Sequence, residues 1–162
     1  MSDMKASQRA DVLRICVLGD KQVGKTAFMK CITFGLYDPY MQSSLKMDFI
    51  TREIIIGQEK VVFQLWEKEL QSYHSLIIMY DITSRQSFAN AVKIVEEVCS
   101  DKDMIVPILL LGNKIDIQQK RQVMAYEGEM TALHYQILFN EVSCIEAVNT
   151  RQSVTELIET IM

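Results

Sequence analysis

The sequence predicts a single α/β domain, with a mostly parallel six-stranded sheet that carries helices on both faces. Apolar runs of strand length alternate along the chain with segments whose apolar residues recur at helical spacing, which favours parallel βαβ crossovers. Two adjacent β-rich runs are separated only by a short glycine-containing spacer, which predicts a hairpin and one antiparallel edge strand. A glycine-rich loop leaves the first apolar run and enters the first helical segment, as phosphate-binding loops do.

The first half of the chain supplies this loop and the hairpin. Its opening apolar run has the length of a buried strand, and the two β-rich runs flank the glycine-containing spacer at residues 57–60. The elements predicted here are a strand at residues 13–18, a helix at 26–34, an irregular stretch at 35–46 and strands at 49–56 and 61–66.

The second half of the chain repeats a strand and helix alternation. Residues 83–86 fit a capping box, and the apolar residues after them recur at helical spacing. Apolar positions at 154, 157, 158 and 161 predict a last amphipathic helix. The other elements predicted here are strands at residues 76–80, 105–111 and 137–142 and a helix at about 123–133.

Composition bounds the classes of protein to consider. A chain of 162 residues is long enough for one good core, with residues 1–11 as a flexible N-terminus and 12–162 as the folded domain. A net charge of −4 gives no electrostatic case for nucleic acid as a partner. The four cysteines have no paired spacing, which indicates reduced thiols of an intracellular protein and no cysteine metal site.

Membrane signals are missing from the sequence as given. The N-terminus lacks an apolar signal-peptide region, and no apolar run approaches the length that spans a bilayer. Ser2 excludes N-myristoylation, and the last four residues offer no cysteine to prenylate. We therefore expect a cytoplasmic protein that does not insert into membranes by itself. It either reaches membranes or assemblies through partners or carries a prenylated tail outside the given sequence.

The glycine-rich loop follows the pattern G-x-x-x-x-G-K-[ST] at residues 19–26. Its glycines let the backbone wrap an anion, and free N–H groups at the following helix point at it. Lys25 can reach the β- and γ-phosphates of a nucleotide, and Thr26 can ligate Mg²⁺. An ordinary glycine turn is the alternative. The predicted phosphate-binding residues are Gly19, Asp20, Lys21, Gln22, Val23, Gly24, Lys25, Thr26 and Ala27.

Two further loops follow predicted strands and should face the same ligand, because ligands of parallel sheets bind at the carboxyl ends of strands. The first contains Asn113, Lys114 and Asp116, and its aspartate can accept two hydrogen bonds from guanine. A polar turn is the alternative there. The second contains Ser143 and Cys144, whose backbone amides can meet guanine O6.

These residues resemble the Ras-like small GTPases, and the Rab branch in particular. The loop at 19–26 is similar to the family's phosphate loop, residues 113–116 match N-K-x-D, and residues 80–83 with 87–88 resemble the Rab Y-D-x-T and S-F segments. The resemblance covers nearly the whole chain. It implies a P-loop NTPase G domain that binds GTP or GDP with Mg²⁺, with Thr26 and Ser44 as metal ligands and Tyr37 covering the base.

The sequence departs from the family after Trp66. Where the family has D-x-x-G-Q, residues 67–71 read E-K-E-L-Q, and too few residues remain before the next strand for the usual switch II loop and helix. Gln71 aligns with the glutamine that orients the attacking water, which makes it the candidate catalytic residue. The alternative for Gln71 is a surface glutamine.

Three smaller departures affect the ligand site itself. Ser44 replaces the switch I threonine, and it keeps the hydroxyl while losing the methyl group. Lys21 stands where active members carry a small residue, so it either adds charge near the phosphates and blocks an arginine finger or points into solvent. Cys144 and Ile145 replace the usual alanine and lysine beside the base.

Three functions are consistent with these residues. The leading hypothesis is a Rab-like guanine-nucleotide-binding protein with weak or absent GTP hydrolysis, which acts in trafficking or a related process through effector or scaffold proteins. The second is a conventional GTPase switch that a partner completes in trans. The third is a structural pseudo-GTPase without nucleotide. A homodimer through the sheet near residues 61–66 is a further expectation, because a shortened switch II would expose that region.

Overall fold

The computed structural model describes residues 11–35 and 48–162. Within them the chain forms one six-stranded sheet in the order β2-β3-β1-β4-β5-β6, in which only the β2 and β3 pair is antiparallel. The strands are β1 (Leu13–Gly19), β2 (Phe49–Ile56), β3 (Glu59–Trp66), β4 (Ser75–Asp81), β5 (Ile108–Asn113) and β6 (Leu138–Glu141). The predicted fold class, a P-loop α/β domain with one antiparallel edge strand, is confirmed.

Helices cover both faces of this sheet. They are α1 (Lys25–Phe34), α2 (Arg85–Ser100), α3 (Ala125–Tyr135) and α4 (Thr150–Ile161), and a single 3₁₀ turn lies at Gln118–Lys120. One apolar cluster joins α1 and α4 to the sheet, and a second cluster lies under α2 and α3. The two clusters are the two faces, because side chains along β1 alternate between them: Ile15 and Val17 enter the first and Cys16 enters the second.

The central strands explain why the sequence reads as continuous apolar runs. Every residue of β4 and of β5 is buried, since both strands have neighbours on each side and helices above and below. The edge strand β2 alternates instead, and its Ile55 is 73% exposed. Its hairpin to β3 turns at Gly57 and Gln58, where Gly57 has the positive φ of 64° that such a tight turn requires.

Several predicted element boundaries differ from the structure by one to three residues, for example the strand predicted at 61–66, which begins at Glu59, and the helix predicted at 123–133, which is Ala125–Tyr135. Two of these differences have a clear physical reason. The predicted strand at 105–111 begins only at Ile108, because Pro107 has no N–H for the ladder and Ile105 is 92% exposed. The helix cap predicted at Thr83 is Ser84, whose Oγ accepts a hydrogen bond from the Ser87 N–H. The Thr83 hydroxyl donates to Asp81 instead, at 2.7 Å.

The connection from β3 to β4 spans residues 67–74 and contains no helix. It is fixed to the end of the sheet by Arg14 and His74, because the Arg14 N–H donates to His74 Nδ1 and the His74 N–H returns to the Arg14 carbonyl. The Arg14 guanidinium also donates to the Ser72 carbonyl and hydroxyl oxygens. We call residues 67–74 the strap. These hydrogen bonds hold the strap against the sheet.

Several predictions fall on other parts of the chain. The N-terminal residues 1–10, the stretch 36–47 and the site candidates Tyr37 and Ser44 lie outside the described residues.

The homodimer prediction concerned the sheet near residues 61–66. There β3 is paired on both sides, and its Phe63 and Leu65 are buried. No helix in the described ranges has the length and apolar character needed to cross a bilayer.

Candidate functional site

A cleft of about 480 Å³ opens at the carboxyl end of the sheet. It is bounded by the glycine-rich loop after β1, by the first residue after β3 and by the loops after β5 and β6. Parallel sheets bind ligands at this end. The lining residues are Lys21, Gln22, Gly24, Lys25, Thr26, Ala27, Glu67, Asn113, Lys114, Asp116, Cys144 and Ile145.

The glycine-rich loop is shaped by its positive-φ residues. Gln22 has φ 67° and Gly24 has φ 101°, so the chain reverses before it enters α1. Gly24 is the N-cap of α1, and no side chain caps the helix, which leaves its first N–H groups to a ligand. The Lys25 ammonium donates to the Gly19 and Asp20 carbonyl oxygens, which places a cation beside these N–H groups.

Thr26 and Glu67 meet across the mouth of the cleft. The Thr26 hydroxyl donates to the Glu67 carboxylate, with distances of 2.8 and 2.9 Å from Oγ1 to the two carboxylate oxygens. The hydroxyl oxygen keeps its lone pairs, and the carboxylate has further acceptor capacity. These are the hard oxygen donors that Mg²⁺ prefers, so Thr26 and Glu67 together fit such a cation.

Asn113 connects the glycine-rich loop to the loop after β6. Its side chain is 3% exposed, its Nδ2 donates to the Val23 carbonyl at 3.0 Å, and its Oδ1 accepts from the Cys144 N–H at 3.3 Å. An ideal Cβ on Gly24 would collide with Asn113 Nδ2, so only glycine fits beneath this amide. The side chain thus fixes the spacing between the two walls of the cleft.

Lys114 adds a second connection on the same side. Its ammonium donates to the Gln22 carbonyl and pairs with the Asp81 carboxylate, both at 2.8 Å. Burial alone would raise the pKa of Asp81, but hydrogen bonds from Lys114 and Thr83 outweigh it and hold that pKa below its ordinary value. Asp81 therefore stays ionised beside Lys114 and holds it against the loop.

The Asp81 pair predicts an acid-sensitive contribution to stability. Because folding lowers the pKa of Asp81, its contribution to the free energy of unfolding is complete above the unfolded value of 3.8 and is lost as pH falls through the folded value. Urea unfolding from about pH 6 to about pH 3 should therefore show a shallower acid loss in Asp81→Asn than in wild type. The exposed control Asp103→Asn should follow wild type, and equal slopes for all three proteins would contradict the assignment.

The loop after β5 presents its acidic residue, Asp116, to the loop after β6. Asp116 Oδ1 accepts from the Ser143 hydroxyl at 2.8 Å, and Asp116 lines the cleft. The hydroxyl in turn accepts from the Glu146 N–H at 3.1 Å. Burial raises the pKa of Cys144 to about 12, so this cysteine is a neutral thiol in the cleft wall.

Most predicted site residues come together in the cleft. Gly19, Asp20, Val23 and Ser143 do not line it: Val23 is in the core, and the Asp20 carboxylate accepts from Asn90 of α2 at 2.7 Å. Lys21 is exposed on the cleft wall. The Cys144 N–H, which was predicted to meet guanine O6, donates to Asn113 in this structure.

Gln71 lies apart from the cleft. It is exposed, and it is not among the residues that line the cavity. The predicted metal ligands were Thr26 and Ser44 and did not include Glu67, which the sequence comparison noted only as the glutamate that replaces the family's Mg²⁺-holding aspartate. Its placement directly after the buried strand that ends at Trp66 was the signal, because β3 runs parallel to β1 and both end at the same edge of the sheet.

Comparison with known proteins identifies the domain. A model of the Ras family matches residues 14–162. The chain belongs to the Ras family. A Danio rerio protein, "Ras and EF-hand domain-containing protein", is 30% identical over 164 residues, covering 91% of this chain and 25% of that protein. The human "EF-hand calcium-binding domain-containing protein 4B" is 30% identical over 161 residues, covering 90% of this chain and 22% of that protein.

The chain therefore spans about a quarter of the length of these curated relatives, with 25% and 22% of each covered. Membership of the Ras family agrees with the α/β fold described above, and proteins of this family generally bind a guanine nucleotide. The hydroxyl and carboxylate of Thr26 and Glu67 agree with the Mg²⁺ that proteins of this family generally bind together with a guanine nucleotide.

Proposed function

We propose that this Ras-family domain binds GTP or GDP with Mg²⁺ and hydrolyses GTP weakly or not at all, as a Rab-like module that acts through protein partners. The single observation that carries the binding proposal is the convergence of the glycine-rich loop, Asn113 and Asp116 on one cleft. N–H groups and Lys25 match the phosphates, and the Asp116 carboxylate matches the N1 and N2 donors of guanine. Adenine offers no such donor pair.

The arrangement after β3 supports weak hydrolysis. The Leu70 N–H, at the position where the family has a phosphate-reading glycine, donates to Cys16 Sγ at 3.4 Å. The Leu70 side chain packs against the cluster under α2 and α3. Neither group reaches the cleft, and Gln71 is exposed outside it. A water-orienting group must lie within hydrogen-bond reach of the water, and this segment supplies none from the positions used in the family.

The hydrolysis proposal is tested by single-turnover kinetics with a competent Ras-family protein alongside. We expect a rate at least about tenfold below the intrinsic rate of such a protein, which is on the order of 10⁻⁴ per second. Gln71→Ala should leave the rate within about twofold of wild type, because its side chain lies outside the cleft. A normal intrinsic rate in wild type would overturn the proposal, and loss of that rate in Gln71→Ala would assign it to Gln71.

Glu67 gives a second prediction within this function. Glu67→Gln removes a carboxylate charge beside Thr26, so we expect fluorescent GDP to dissociate about tenfold faster at millimolar Mg²⁺. In excess EDTA the variant and wild type should release GDP at equal rates. Glu69→Gln is the matched control, because it makes the same charge change outside the cleft. Equal Mg²⁺ dependence of Glu67→Gln and wild type would remove Glu67 from the metal site.

The two remaining functional hypotheses are separated by direct observations. Nucleotide released by heat from the purified protein and identified by chromatography supports binding, whereas none released and none bound on incubation with Mg²⁺ and GDP would favour a nucleotide-free scaffold. A switch completed by a partner in trans predicts that the GTP and GDP forms differ in protease sensitivity between residues 37 and 48. Identical cleavage patterns would count against that hypothesis.

A further inference from the structure

A second concave surface lies on the α2 face of the sheet, beside the start of the glycine-rich loop, whose Gly19 lines it. It is a groove of about 400 Å³ between the end of β1, the strap at residues 67–74 and the second half of α2. Its floor includes Leu18, Ile94 and Val98, which pack partly against the core beneath α2 and α3 and keep part of their surface open. We call this surface the acidic groove, because of its rim.

The rim carries charge of one sign. Glu69, Glu97 and Asp101 are all exposed and line the groove, and no lysine, arginine or histidine is among its lining residues. None of the four ion pairs found within residues 11–35 and 48–162 includes any of these three acids. Apolar surface surrounded by uncompensated carboxylates is complementary to a ligand that is apolar and positively charged.

Tyr73 in the strap marks an unmet hydrogen bond at the same place. Its hydroxyl oxygen is buried and has no hydrogen-bond partner among the described residues. A buried hydroxyl without a partner is costly, and a donor or acceptor from a bound segment would satisfy it. This observation is independent of the charged rim.

The chemistry of the groove decides what kind of occupant fits. The acidic rim repels the negatively charged surface of membranes and nucleic acids. No cluster of three or more metal-binding side chains occurs in the described part of the chain, which argues against a lone cation. Strand addition is also excluded, because β1 is paired on both sides, with β3 and β4.

We propose that the acidic groove docks a basic amphipathic helix of a protein partner. The apolar face of that helix covers Leu18, Ile94 and Val98, and its lysines or arginines face Glu97 and Asp101. This inference depends on the proposed function only in that the domain acts through partners. Helix α2, which forms one wall of the groove, is also joined to the glycine-rich loop, because Asn90 donates a hydrogen bond to the Asp20 carboxylate. We therefore expect binding at the groove to depend on the conformation of that loop.

The test uses an 18-residue helical peptide of leucine and lysine, and the same peptide with glutamate for lysine, titrated against the whole chain by fluorescence anisotropy. We expect the lysine peptide to bind at least about tenfold tighter. The double variant Glu97→Gln/Asp101→Asn should weaken that binding about tenfold, and more so at low salt than at high salt. The control pair Glu129→Gln/Glu159→Gln removes the same charge elsewhere and should change binding less than about twofold.

Backbone amide shifts on adding the lysine peptide should concentrate in residues 69–73 and 94–104. Equal binding of both peptides, equal weakening by the control pair, or stronger binding to vesicles containing anionic lipid would overturn the proposal. GDP binding is measured in the same samples with a fluorescent nucleotide. If the wild-type chain binds the lysine peptide but not GDP, the proposed function is contradicted and the docking proposal stands. If it binds GDP but not the lysine peptide, the docking proposal is contradicted and the proposed function stands.

Discussion

Gly24→Ala should abolish nucleotide binding and destabilise the domain by about 3 kcal/mol. The added methyl collides with Asn113 Nδ2, so the hydrogen bond from Asn113 to the Val23 carbonyl must break. The residue must also hold a φ of 101°, which an L side chain rarely adopts. Urea unfolding gives the stability change, and fluorescent GDP titration gives the loss of affinity.

Gly57→Ala is the matched control for this variant. Gly57 also has a positive φ, 64°, but an added Cβ there meets nothing within 4 Å. We therefore expect Gly57→Ala to cost only the backbone strain, about 1 kcal/mol, and to leave GDP affinity unchanged. Equal destabilisation by both variants would mean that the Asn113 contact contributes nothing beyond backbone strain.

Asp116→Asn should lower the affinity for GDP about a hundredfold. In the proposed complex the Asp116 carboxylate accepts two hydrogen bonds, from guanine N1 and N2, whereas the asparagine amide turns one of those acceptors into a donor that faces a donor. Xanthosine diphosphate (XDP) carries a carbonyl at C2 in place of the guanine amino group. That carbonyl accepts a hydrogen bond from the asparagine NH₂, so the variant should prefer XDP over GDP. Competition against fluorescent GDP measures both affinities.

Ser143→Ala separates the base contact from the local support of Asp116. It removes the 2.8 Å hydrogen bond to Asp116 Oδ1 and keeps the carboxylate itself. We expect a loss of GDP affinity of about tenfold or less, with the preference for guanine retained. If Asp116→Asn weakened GDP and XDP equally, Asp116 would not contact the base.

The fold was predictable from the sequence because its signals are local. Continuous apolar runs such as β5 occur where a strand is buried on both faces, and the spacing around Gly57 sets the hairpin. Boundaries were predicted less well where two local signals compete. Thr83 and Ser84 can both cap a helix, and the choice was decided when the Thr83 hydroxyl bonded to Asp81 at the end of β4.

The candidate site was predictable where one continuous motif carries it and missed where partners come from distant segments. Residues 19–26 and 113–116 can be identified by spacing alone, since the motif residues are neighbours in the chain. Glu67 joined the site only because β3 lies parallel beside β1, which brings it to Thr26 across 41 positions of sequence. No periodicity in the sequence encodes that approach.

The sequence by itself determined the fold class and located the glycine-rich loop at residues 19–26 and the N-K-x-D sequence at 113–116, because each depends on neighbouring residues and regular spacing. The tertiary structure decided how they are connected. Asn113 spans the two walls of the cleft, Glu67 meets Thr26, and the Leu70 N–H turns to Cys16 and leaves the cleft. These contacts depend on how strands pack side by side, and that packing brings together residues that are far apart along the chain.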